Sequence, residues 1–92
     1  MKKIIVAQLN VQKKHEASFL DLAKIMVEKS NKEQGCISYR LHKDIYNQGR
    51  YLFYEEYISK TARDFHNNSD HFNWFINNIT SLLIEEPIIN NY

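Results

Sequence analysis

Ninety-two residues, 43% of them hydrophobic, with twelve Lys and Arg against eleven Asp and Glu, describe one small globular domain spanning 1–92. A net charge of +1 offers no electrostatic case for nucleic acid or an anionic membrane. A domain this short buries only about 60–65% of the surface its unfolded chain exposes, so a partner subunit would help its thin core.

The N-terminal MKKIIVAQLNVQKK holds two lysines and an apolar run only from Ile4 to Ala7, too short for a secretory signal. Nothing approaches the ~20 apolar residues of a membrane span. The single Cys36 excludes an intrachain disulfide, and a cytoplasmic location is expected. Residues 3–10, KIIVAQLN, are apolar on both alternating faces, as in a strand covered on both sides. A helix is predicted over roughly 14–31, where Phe19, Leu22, Ala23 and Met26 form one stripe, and Gly35 follows as its stop or a turn. In CISYRLHKD, 36–44, Ile37, Tyr39 and Leu41 alternate with Ser38, Arg40 and His42. IYNQG is a turn into RYLFYEEY, so the two runs form a hairpin.

Ser59 is placed to cap a short helix over 60–67, and Ser69 another from about 70 to 84. In the second, Phe72, Phe75, Ile76, Ile79, Leu82 and Leu83 form a core stripe, Pro87 ends it, and 88–90 reads as a last strand. The order β-α-β-β-α-β is the ferredoxin-like arrangement, an α+β fold with a four-stranded antiparallel sheet and helices on one face. Neither sheet face is polar, so the open one is expected to meet a second subunit in a homodimer.

DFHNNSDHFNWF, 64–75, concentrates the chemistry. On one continuous helix His66 and His71, five apart, point about 140° from each other; a break at Asn67–Asn68–Ser69 would lift that limit, but no further Cys or His lies nearby at ligand spacing, so no metal is expected. His71, Trp74 and Asn78 form a second stripe beside the core one, which makes Trp74 either a dimer contact or lid or one wall of a pocket. Of the pair 65/66, Phe65 is expected to face the core. His15 and His42 are expected at the surface. Glu55, between Phe53 and Tyr57 on one strand face, is either an ion-pair partner of Arg40 or Arg50 across the dimer or a base or hydrogen-bond acceptor whose pKa burial raises. Cys36 lacks a basic neighbour and reads as an inert thiol.

RYLFYEEYISKTARDFHNNSDHF, 50–72, resembles the pattern of the antibiotic biosynthesis monooxygenase family of the dimeric α/β-barrel superfamily: Tyr54-Glu55, Tyr57, Ser59-Lys60, Ala62, His66 and Ser69-Asp70-His71-Phe72, with Asp70 where Pro is common. Glu33-Gln34-Gly35-Cys36 resembles its Glu-x-Gly-Cys lead into the second strand. The resemblance implies sheets packed face to face in a dimer and a small-ligand pocket between sheet and helices. Functions in the family vary. Some members oxidise phenols or hydroquinones with dioxygen and no cofactor, some isomerise a phosphorylated autoinducer-2 sugar, and others cleave haem. The haem-cleaving triad would fall on Gln8, His66 and Ile76, none of which matches. On the oxygenase reading His66 or His71 is the base, Gln8 or Asn10 orients the substrate oxygen, and Phe53, Tyr57 and Trp74 wall the pocket; Glu55 is a base or a hydrogen-bond acceptor, and in the isomerase it or a histidine moves the proton. The isomerase, or a non-catalytic ligand-binding dimer, is the alternative. The glycine-bearing aromatic signature of RNA-binding sheets is absent from RYLFYEEY.

Overall fold

The computed structural model describes residues 1–92. Strand β1 (Lys3–Asn10) leads through a 3-10 turn (Lys13–His15) into helix α1 (Glu16–Asn31). Strands β2 (Cys36–Lys43) and β3 (Arg50–Tyr57) follow, then helices α2 (Lys60–Asn67) and α3 (Asp70–Ile79), a second 3-10 turn (Thr80–Leu82) and strand β4 (Ile88–Asn91). The sheet order is β2-β3-β1-β4, antiparallel throughout, so the fold is ferredoxin-like.

Strand alternation decides which side chains meet the helices. Ile5, Ala7 and Leu9 of β1, with Tyr51, Phe53, Glu55 and Tyr57 of β3, are all buried on one face. Helix α1 lays Phe19, Ala23, Met26 and Ser30 onto that face, and α3 contributes Phe75 and Ile79. Phe19 sits at the aromatic centre, 5.1 Å from Tyr51, 6.4 Å from Phe53 and 6.2 Å from Phe75 between ring centroids. Val6, Gln8, Leu52 and Tyr54 point the other way, where the sheet has no covering layer in the chain.

Both serine caps form: Ser59 Oγ accepts from Ala62 N at 3.1 Å and Ser69 Oγ from Phe72 N at 3.2 Å. In the β2–β3 turn, Asp44 Oδ1 accepts from Tyr46 N and Asn47 N, and Gly49 takes φ +85°. A side chain at Gly49 would also meet Val11 O at 2.5 Å.

Two expectations about elements are corrected. The helix expected to reach 84 ends at Ile79, because the chain must turn to bridge Leu83 to Val11; the Gln12 amide donates to Ser81 O and Leu83 O there. Ile37 does not share a face with Tyr39: a bulge between Cys36 and Ser38 turns it out to 51% exposure. Gly35 lies in the turn after α1, as expected, without a left-handed φ; it is required for space, because a Cβ there would lie 2.4 Å from Ala62 Cβ.

Candidate active site

A cavity of about 310 Å³ opens between the sheet and helices α1 and α3. Met26, Tyr39, Phe53, Phe72, Phe75 and Ile76 give it apolar walls, and Pro87 and Ile89 close it from the C-terminal strand. Its polar groups are Glu55, Arg63 and Asn67. This is the usual make-up of a small-ligand pocket, an apolar chamber with a few convergent polar side chains.

Glu55 is the one carboxylate in that lining, placed by register opposite Ile5 on one side and Tyr39 on the other. Only 7% of it is exposed. Burial pushes its pKa up to about 7, against a 2.6 Å hydrogen bond donated by the Tyr57 hydroxyl to Oε1 and the nearby charge of Arg63. Burial beside Glu55 also holds the Tyr39 and Tyr57 hydroxyls far above ordinary phenol values, so both stay protonated donors. Within the chain Arg40 lies over the Tyr54 ring on the other sheet face, 5.5 Å from its centre, and does not pair with Glu55.

Behind this wall lies a second cluster. His66 Nδ1 stands 2.7 Å and His71 Nε2 2.5 Å from the same oxygen, Glu33 Oε2. The two histidines lie on different helices, so the helical-wheel angle between them does not apply; the break at Asn68–Ser69 lets both point at the turn after α1. Burial holds His66 below the ordinary histidine value, opposed by its contact with Glu33. Its ring packs 5.2 Å from Tyr39, 5.5 Å from Tyr57 and 5.2 Å from Phe72.

The expected orientation of 65 and 66 is reversed. His66 is buried and Phe65 is 65% exposed. Contact between Ala62 and Gly35 sets the phase of α2, and one turn later His66 falls about 40° from Ala62 while Phe65 falls about 60° to the solvent side. Gln8 and Asn10 do not reach the cavity either. They alternate with Ala7 and Leu9 onto the open sheet face, where Asn10 Nδ2 donates to Glu85 Oε1 at 3.3 Å. Phe53 lines the cavity and Tyr57 touches it through Glu55. Trp74, 37% exposed, lies outside the lining, while Ile76 on the same helix is in it. His15 is half-buried at the start of α1 and His42 is exposed. Cys36 is half-buried with its thiol pushed up to about 11 by burial, then by Glu33 and Glu55, as suits an unreactive group.

Sequence reasoning missed Glu33, Tyr39, Arg63 and Asn67. Glu33 stood in the quoted Glu-x-Gly-Cys run, and its spacing to Gly35 was the available signal. No helix is long and apolar enough to cross a membrane.

A ferredoxin-like sheet with an apolar chamber beneath its helices, entered by one buried carboxylate, defines a small-ligand-binding α+β class. The family model described as antibiotic biosynthesis monooxygenase matches residues 4–78, and the chain belongs to that family. It is 27% identical over 89 residues to a Synechocystis protein named "Uncharacterized protein sll1783", and spans 60% of that relative's length. It is 26% identical over 73 residues to the Bacillus subtilis protein named "Putative monooxygenase YcnE", covering 79% of this chain and 77% of that one. Among solved structures, a conserved protein from Methanosarcina mazei Go1 superposes with a TM-score of 0.96 at 29% identity, over all of this chain and 91% of that one. A Caulobacter crescentus structure described as a putative antibiotic biosynthesis monooxygenase superposes at 0.95 with 26% identity, over 99% and 87%.

Proposed function

We propose that this chain is a cofactor-independent monooxygenase that oxidises small phenols or hydroquinones with dioxygen, with Glu55 as the base. The reading rests on one observation: a single buried carboxylate in a mainly aromatic and aliphatic chamber, where burial pushes its pKa up to about 7. Near neutral pH such a group takes a proton readily and, once protonated, returns it readily. Membership in the monooxygenase family supports the reaction class.

Dioxygen is a triplet and reacts slowly with a closed-shell phenol, whereas a phenolate gives it an electron. Glu55 takes the phenolic proton, and Arg63 and Asn67 hold the phenolate oxygen in place of water. Electron transfer forms a phenoxyl–superoxide pair, and the apolar walls keep it from solvent until a C–O bond forms on the ring. Protonated Glu55 donates to the resulting peroxide. Loss of the ring C–H proton then breaks the O–O bond and expels hydroxide, which leaves with that proton as water. One phenol and one dioxygen thus yield one quinone and one water, with Glu55 restored and no external reductant. A hydroquinone gives the hydroxylated quinone by the same count.

His66 and His71 hold their nitrogens on Glu33 rather than toward the chamber, so this reading gives the proton-transfer role to Glu55 and a supporting one to them. The open sheet face, with Val6, Leu52 and Tyr54 half-covered, is read as the surface of a homodimer. The test is oxygen uptake by EDTA-treated protein with a panel of naphthohydroquinones and polyphenols, beside Glu55→Gln. Uptake above the autoxidation blank that survives chelation and collapses in the variant supports the proposal. Uptake no faster than blank across the panel, or undiminished in Glu55→Gln, sinks it.

A further inference from the structure

The Glu33–His66–His71 cluster carries a property that the oxidation does not use. One carboxylate oxygen faces two imidazole nitrogens, and the three ligand atoms lie within 4.8 Å of one another. The side chains are deeply placed: Glu33 is 5%, His66 1% and His71 15% exposed. The second oxygen, Glu33 Oε1, is buried without a hydrogen-bond partner, and so is His66 Nε2. A buried carboxylate that shares one oxygen between two rings and leaves the other bare lacks a full set of partners, and a cation beside it supplies one.

We propose that Glu33, His66 and His71 bind one divalent transition-metal ion of the zinc class. Two imidazoles and one carboxylate suit zinc with an open fourth position, and they do not suit magnesium or calcium, which take oxygen ligands throughout. Ligands at about 2.0–2.1 Å from a tetrahedral zinc stand roughly 3.3 Å apart, so the 2.7 and 2.5 Å carboxylate–imidazole spacings must open by roughly 0.6–0.8 Å. His71, on the solvent side of the cluster, has the freedom to make that adjustment, and the unpartnered Oε1 is a ligand already in place. The fourth position opens toward His71, the most exposed of the three. The ion ties the turn after α1 to the α2–α3 junction and takes no part in the reaction at Glu55, so the site stands or falls independently of the oxygenase reading.

The experiment is titration of EDTA-treated, reduced full-length protein with Co²⁺, read by visible absorption, and with Zn²⁺, read by calorimetry. Wild type is expected to bind one ion per chain, giving low-coordinate cobalt bands without the thiolate charge-transfer band that Cys36 would add. A His15→Ala, His42→Ala double variant is expected to bind equally well. His71→Ala, at a partly exposed position, is expected to lose at least roughly a hundredfold in affinity, more than is typical for groups behind a ligand. Nitrogen NMR of the wild-type imidazoles keeps the test independent of any variant's folding: Zn²⁺ should move the ring signals of His66 and His71 alone. Absence of stoichiometric binding, retention of it in folded His71→Ala, or ring shifts confined to His15 and His42 each overturns the assignment.

Discussion

The Tyr57 hydroxyl donates to Glu55 Oε1 at 2.6 Å from two residues further along the same strand face. The bond favours the ionised carboxylate, and it is what keeps burial from raising Glu55 beyond about 7. Tyr57→Phe therefore raises the Glu55 pKa, and the acidic limb of log kcat/KM against pH moves to higher pH. A limb that stays in place or moves down means that Glu55 is not the group being titrated. The variant also loses about 1.5–3 kcal/mol of folding stability at pH 8, as for a hydrogen bond to a charged partner.

Glu55→Gln separates stability from activity. The folded carboxyl holds its proton up to about 7, while the unfolded one releases it near 4.5. Its contribution to stability is thus full below pH 4.5 and is lost as pH rises through 7. At 1.36 kcal/mol per pH unit the loss approaches about 3 kcal/mol above neutrality. Gln carries no such penalty, so the variant should be more stable than wild type at pH 8 by about 1–3 kcal/mol in urea unfolding and equal to it near pH 4. Its oxidation rate should fall by about 10²–10⁴. A variant less stable than wild type at pH 8 contradicts the burial argument.

Gly35 is a spacing residue. Gly35→Ala sets a Cβ 2.4 Å from Ala62 Cβ and 3.4 Å from its Cα, so α2 must retreat. The expected cost is about 1–3 kcal/mol. Adding Ala62→Gly should return part of it, less the helix penalty of about 1 kcal/mol for glycine. Chemical denaturation of both single variants and the double variant gives the coupling; additive costs would show that the two residues do not clash.

Ile76 and Trp74 make a matched pair on α3, one lining the chamber and one outside it. Ile76→Trp should raise KM several-fold by filling the cavity mouth, with little change in folding. Trp74→Ala should leave KM alone. The opposite ranking would restore Trp74 as a pocket wall.

The element order, both serine caps and the shared strand face of Phe53, Glu55 and Tyr57 were legible, because each follows from period or from a single side chain's chemistry. The face of β1 was not. Ile4 and Val6 compete with Ile5, Ala7 and Leu9, so alternation alone left open whether Gln8 and Asn10 look into the chamber. The phase of α2 depended on a contact between Gly35 and Ala62 that no periodicity within the helix reports, and this reversed Phe65 and His66. Glu33 lies 33 positions before His66 and 38 before His71. Their convergence is a product of the tertiary fold, visible in sequence only as a carboxylate beside a glycine.

Strand β4 is short, exposed at every residue and paired to β1 over Ile5 to Gln8, with Tyr92 beyond it bonded to Ile4. It nevertheless supplies Ile89, and with Pro87 the last wall of the chamber. The least anchored element of the sheet is thus also the one an occupant would touch. By linkage, whatever binds against Pro87 and Ile89 adds its binding energy to the holding of that strand. Amide exchange at Ile88–Asn91 should slow with ligand concentration before any other part of the sheet responds. The end of the chain becomes a reporter of occupancy that needs no label.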